Sequence, residues 1–206
     1  MRSQDDSINS SENKNSYFLF NPPAFLDPYA PRWQAGYIQH INSHLKLGSY
    51  FGYGGKNINF NFSEKQRTAY RLWEIRPEVF LILNPKVRTV KYLSIEFFYI
   101  DQFNTFSDEG YESSTGTDYT YAQADFNRQK YGLHLKYGLF LNTGKHFGLN
   151  FSGGFGFRVL NQEYNNIINQ VRKERALFAG IGDPYYKEVF DTRFHPALSF
   201  KLYYRL

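Results

Sequence analysis

The chain has 206 residues, enough for one domain, with a formal net charge of +5 and no cysteine. Disulfide staples, thiolate metal sites and cysteine nucleophiles are therefore excluded. Lys and Arg are spread along the chain, without the clustered stripe of a nucleic-acid binder, so no nucleic-acid partner is expected.

Aromatic residues make up 20% of the sequence, with 21 Phe and 18 Tyr, yet the mean hydropathy is −0.56. Soluble folds rarely combine so many rings with so much polarity, whereas a membrane barrel does so by alternating them along each strand. No run approaches the roughly 18 consecutive apolar residues of a membrane helix. Only a closed sheet would let this chain satisfy its own backbone within a bilayer.

Residues 1–16 are polar, rich in Ser, Asn and Asp, and read as a disordered leader; residues 17–206 read as one barrel domain. The leader has no apolar core of a secretory signal; either the sequence is a mature or mis-started form, which is the favoured explanation, or the protein is not exported. Tyr17–Phe20 is a candidate first strand, and residues 33–41 a partner strand. Leu45, Leu47, Phe51 and Tyr53 then oppose Lys46, Gly48 and Gly52. Trp73, Ile75, Val79, Leu81 and Leu83 oppose Glu74, Arg76 and Glu78.

Leu93, Ile95, Phe97 and Tyr99 oppose Ser94 and Glu96, and Tyr131–Leu141 continues the same period of two. In the clearest segment, Phe147, Leu149, Phe151, Phe155, Phe157 and Val159 oppose Gly148, Asn150, Ser152, Gly154, Gly156 and Arg158. The last strand sets Leu198, Phe200, Leu202, Tyr204 and Leu206 against Ser199, Lys201, Tyr203 and Arg205. Short turns at 42–44, 84–88 and 142–146 alternate with long polar connections at 55–68, 101–127 and 161–192. Residues 171–178 within the last are read as a short helix or β-extension.

The expectation is an all-β fold: a single antiparallel, up-and-down transmembrane β-barrel of about eight strands with short periplasmic turns and long extracellular loops. Volume decides which face is outside. Eight strands leave an interior only just wide enough for side chains, and the Phe, Leu and Tyr face would overfill it. Glycine, small residues and charges therefore line the lumen. The inward charges are Glu74, Arg76, Glu78, Glu96, Lys136, Arg158, Lys201 and Arg205, read as a structural salt-bridge ladder because desolvated charges need partners. Tyr53, Trp73, Tyr99, Tyr131 and Phe157 face outward at the long-loop ends of their strands, as an interfacial aromatic girdle.

Five histidines lack metal-ligand spacing, no cofactor motif is present, and Gly154-Phe155-Gly156 lies inside a strand rather than at a phosphate-binding turn. Ser49 has no identifiable catalytic partner, and His195 with Asp191 lacks a nucleophile. No enzymatic activity is expected.

The run YFLFNPPAFLDPYAPRWQAGYIQHINSHLKLGSYFGYG resembles the opening of small, uncharacterised outer-membrane barrels of Bacteroidota, with OmpX-like eight-stranded architecture. EIRPEVFLIL and FHPALSFKLYYRL are similar to inner and closing strands of that group. The resemblance implies the cell outer membrane, contact with membrane lipid and a cell-surface or outer-membrane protein partner, with no transferable reaction. A non-enzymatic scaffold presenting long loops is the leading expectation. A narrow channel for ions or small solutes, a soluble lipocalin-like binder and a lipid-modifying barrel enzyme are the alternatives.

Overall fold

A computed structural model describes residues 16–58, 67–85, 89–173 and 185–206. The nine strands are β1 (Tyr17–Phe20), β2 (Trp33–Asn42), β3 (Leu45–Gly55), β4 (Arg67–Ile82), β5 (Thr89–Glu112), β6 (Asp118–Asn142), β7 (Phe147–Ile168), β8 (Val171–Arg172) and β9 (Val189–Arg205). A single-turn helix, α1 (Pro22–Phe25), follows β1. Eight strands close an antiparallel ring in the order β1-β2-β3-β4-β5-β6-β7-β9, and β9 returns to β1; β8 adds only to the free end of β6. The fold is thus all-β and barrel-shaped, as the alternation requires. The leader reading concerns residues almost wholly outside those described, although the Ser16 carbonyl accepts a hydrogen bond from the Leu206 amide.

Faces follow the sequence period. Leu47, Phe51, Ile75, Val79, Leu81, Leu93, Ile95, Phe97, Leu133 and Leu135 are exposed on the outer wall, while their neighbours one residue along are buried. The lumen fits because inward rings lie over inward glycines of the adjacent strand: Tyr92 pairs with Gly138 and Tyr203 with Gly148. A Cβ on Gly138 would overlap the Tyr92 ring, so a larger residue there has no room.

Two of the long connections differ from expectation. Residues 101–127 are not a loop: β5 and β6 continue to a tip at 113–117, and β7 runs on to Ile168. Beyond the girdle both outer and inner positions are polar or mixed, so the alternation that marks a strand fades from the sequence although the ladder does not. The period is also reset inside this extension. Asp108 adopts φ 54°, and the buried positions of β5 change from even (Gln102, Asn104, Phe106) before it to odd (Tyr111) after it. The register between β5 and β6 is unchanged across this point, and Asp tolerates the left-handed conformation better than most residues. Residues 171–172 extend β6 as a strand; the rest of the 171–178 reading, the middle of the 55–68 connection and part of the 84–88 turn lie outside the described residues.

Candidate functional site

The lumen has three storeys. At the end with the short turns, Tyr17, Leu19, Tyr50, Phe80, Tyr92, Phe140 and Tyr203 pack into a plug of buried rings and aliphatics. Tyr17 stacks on Phe140 with centroids 5.2 Å apart, and Phe140 meets Tyr203 edge-on at 5.7 Å. At the opposite end, Ala30, Tyr70, Leu72, Phe98 and Ile100 form a second apolar cluster. Charged groups occupy the space between.

Cross-strand register explains the charge network. Glu78 and Glu96 are direct partners across β4 and β5, an unfavourable like-charge pair by itself. The Lys136 ammonium lies 2.8 Å from a carboxylate oxygen of each and resolves the repulsion. Arg76 then connects Glu96, at 3.0 Å, to Glu74, at 3.2 Å. Lys201 stands 3.5 Å above the Tyr50 ring centroid and 4.0 Å from Glu78. These six expected residues therefore form one connected cluster, with every carboxylate shared between cations as buried charges require.

The other two expected members lie apart. Arg205 donates to Asn142 Oδ1 at 2.7 Å, beside the turn joining β6 and β7. Arg158 faces inward higher in the wall, and its direct partner across β7 and β9 is Arg193. Face alone groups both with the ladder, but face ignores height along the barrel.

Sequence reasoning missed Arg32, Gln34, His134 and His195 as neighbours of this cluster. Arg32 comes from the connection after α1 and places Nε 2.8 Å from Glu74; Gln34 also donates to Glu74. His134 lies 3.2 Å from Glu96 and 2.8 Å from His195. Because the carboxylate can only accept, His134 Nδ1 is assigned as donor to Glu96; a neutral His134 then accepts from His195 at Nε2. Alternation placed His134 inward, but pairing of histidines 61 positions apart is visible only once β6 and β9 flank β7.

Among the described residues, no nucleophile stands beside a base at these histidines. His195 is engaged with His134, Asp191 pairs with Arg193, and Ser199 lies four residues down the strand from His195, about 13 Å away. Ser49 is on the outer side of β3, opposite Tyr37 and Pro77.

On the outside, Tyr53, Trp73, Tyr99, Tyr131 and Phe157 stand in one band. Tyr53 is registered with Trp73, Tyr99 with Tyr131, Leu133 with Phe157, and Phe157 with Phe194. Trp33, opposite Tyr53, continues it. Trp73 donates to Asp101 at 3.1 Å and packs 5.0 Å from Tyr99. This level marks where the apolar wall ends rather than where the strands end, since β5, β6 and β7 continue well past it.

The extension carries its own core. Phe106, Tyr111, Tyr121, Phe126, Tyr164 and Tyr185 form a buried ring cluster. Tyr185 ties this cluster over the barrel mouth: its hydroxyl donates to the Tyr29 carbonyl and accepts from Gln102, and its carbonyl accepts from Tyr164 at 2.5 Å. Burial and the neighbouring Glu188 push the Tyr111 hydroxyl up to about 12, so this ring stays neutral and hydrogen-bonding at physiological pH.

Comparisons with protein-family models and with curated protein sequences gave no match. The crystal structure of CarO from Acinetobacter baumannii is similar in shape, with a TM-score of 0.44 and 10% identity over 94% of this chain and 98% of that one.

Proposed function

We propose that the chain is an integral β-barrel of a bacterial outer membrane, acting without catalysis as a scaffold that presents the β5–β7 extension to a surface partner. The observation that carries this reading is the inversion of polarity across the wall. Large apolar side chains encircle the barrel outside, whereas Glu74, Glu78, Glu96, Lys136 and Lys201 are buried within. A continuous exposed belt of this extent is foreign to monomeric soluble proteins, and a lipocalin-like binder would keep its outer wall polar. From Leu83 to Trp73, at about 3.3 Å per residue and a tilt of about 40°, the belt is about 25 Å tall, matching the apolar band of outer-membrane barrels.

The decisive experiment is refolding into phosphatidylcholine vesicles. The expected product migrates faster on unheated gels than after boiling, resists alkaline extraction and loses only its extension to added protease. A chain that stays monomeric in buffer without detergent would overturn the membrane reading.

The channel reading is disfavoured by the ring plug at the short-turn end and the ionic cluster above it. Planar bilayers containing the refolded protein are expected to remain sealed; steady unitary conductance would reverse that preference.

A further inference from the structure

Charge is unevenly placed along the barrel axis. Segments 33–55, 79–95, 126–162 and 192–206 contain no acidic residue. Among the described residues, the carboxylates between the girdle and the short turns are Glu74, Glu78 and Glu96, and Arg76, Lys136 and Lys201 balance them in the lumen. From the girdle outward, the sequence sets thirteen acidic residues against thirteen basic ones. What remains is a set of cations at the short-turn end. Lys46, Lys91, Lys145 and Arg205 are described there, and the turn between β4 and β5 adds Lys86 and Arg88 in sequence, outside the described residues. The segment before Ser16 holds three acids and two bases. The chain's formal net charge of +5 is therefore the charge of this one end.

Two of these cations are exposed and aimed outward or downward. Lys91 lies on the outer face of β5, and its carbonyl accepts from the Leu83 amide at 2.9 Å. It thus stands level with the last lipid-facing leucine of β4, where the apolar belt ends. A lysine at such a boundary lays its aliphatic stem along the belt and carries its ammonium beyond it. Lys145 is exposed in the turn between β6 and β7. Beside it His146 stacks on Tyr204 with centroids 5.5 Å apart, and Tyr204 meets Phe147 edge-on at 5.1 Å. These outward rings mark a second interfacial level, opposite the girdle. Behind them, Lys46 lies 4.7 Å from the Tyr17 ring centroid and within the field of Arg205, so the interior adds positive potential at the same height.

The placement selects the partner. An acidic protein approaching from the aqueous side would meet the turns, whereas Lys91 points sideways from the wall at the depth of a bilayer's phosphate groups. Cations at that depth attract anionic lipid, with a strength that falls away within a screening length.

We infer that the short-turn end, through Lys91 and Lys145, binds the headgroups of anionic phospholipid in the leaflet it meets. The inference rests on the membrane reading above and deepens it by naming the lipid class that this end of the wall prefers.

The test uses the full chain refolded in dodecyl maltoside, so it does not depend on insertion into a bilayer. Electron spin resonance of chain-labelled phosphatidylglycerol or phosphatidylcholine, added to the micelles, measures how much of each lipid the protein immobilises. The wild type is expected to prefer phosphatidylglycerol about fivefold, the factor one lysine near an anionic surface supplies. In 1 M NaCl, with a screening length of about 3 Å, the preference should vanish. The Lys91→Gln/Lys145→Gln variant loses it while melting at the same temperature, since both side chains are exposed. Lys173→Gln/Lys187→Gln removes the same charge from exposed positions at the far end and keeps the preference. Equal immobilisation of the two lipids by the wild type, or a preference that survives in the Lys91/Lys145 variant, would overturn the site. Equal loss in both variants would overturn it as well, because net charge alone would then select the lipid. Preference for phosphatidylglycerol in a chain that fails to enter vesicles supports the site and overturns only the membrane reading; insertion into vesicles without any preference does the reverse.

Discussion

At the scale of single residues, the barrel depends on two kinds of inward position, shared charges and vacated Cβ space. Glu96 accepts from Arg76, His134 and Lys136 together. Glu96→Ala would leave two buried cations short of a partner and is expected to cost about 3–5 kcal/mol, read as an earlier midpoint in urea unfolding from detergent. Gly138→Val tests the second kind. Its side chain would collide with the Tyr92 ring, and overpacking of this sort costs about 1–3 kcal/mol. Adding Tyr92→Ala should return part of that loss; an equal loss in the double variant would mean that the two sites do not share space. The polarity of these residues was legible in the alternation, because every inward Glu falls in phase with its strand. The membership of Arg32 was not, since a residue in an irregular connection has no face until the connection is folded. The separation of Arg158 and Arg205 from the cluster was equally invisible, for the period of a strand reports side and not height.

Elements were legible in proportion to how differently their two faces are solvated. β7 between Phe147 and Val159 alternates rings with small or polar residues and reads as a strand at sight, whereas β5 beyond Asp101 alternates nothing so clear. The extension is held instead by its own rings and by 185–188, whose backbone meets Glu112 through Tyr186 and Glu188. A substitution pair on β6 separates the two environments. Leu135→Arg, in the middle of the apolar belt, is expected to destabilise the membrane-inserted barrel by about 2–4 kcal/mol, while Gln129→Arg, above the girdle, should cost at most about 1 kcal/mol. Comparable costs measured by refolding into vesicles would mean that the belt does not end at Tyr131.

For the whole molecule, closure is uneven. The ladder between β5 and β6 runs almost unbroken from Thr89 to Glu112, whereas β1 contributes four residues to each neighbour. Local opening follows the weakest ladder, so amide hydrogen exchange should be fastest in β1 and along β9 above Lys201, and slowest where β5, β6 and β7 adjoin. Slow exchange throughout β1 would show that α1 seals the wall more tightly than its single turn suggests.

The amide of Leu206 donates to the carbonyl of Ser16 at 3.0 Å, which brings the two ends of the folded ring together at its short-turn rim. Geometrically the ring then has no privileged starting point. A circular permutant joining Ser16 to Leu206 through a few glycines and opened between Thr143 and Lys145 would make β9 and β1 neighbours in sequence, turning the most distant pairing in the chain into a hairpin. It should form the same barrel and refold faster than the parent, because the closing contact would no longer wait for the two extremes of the polypeptide to find each other.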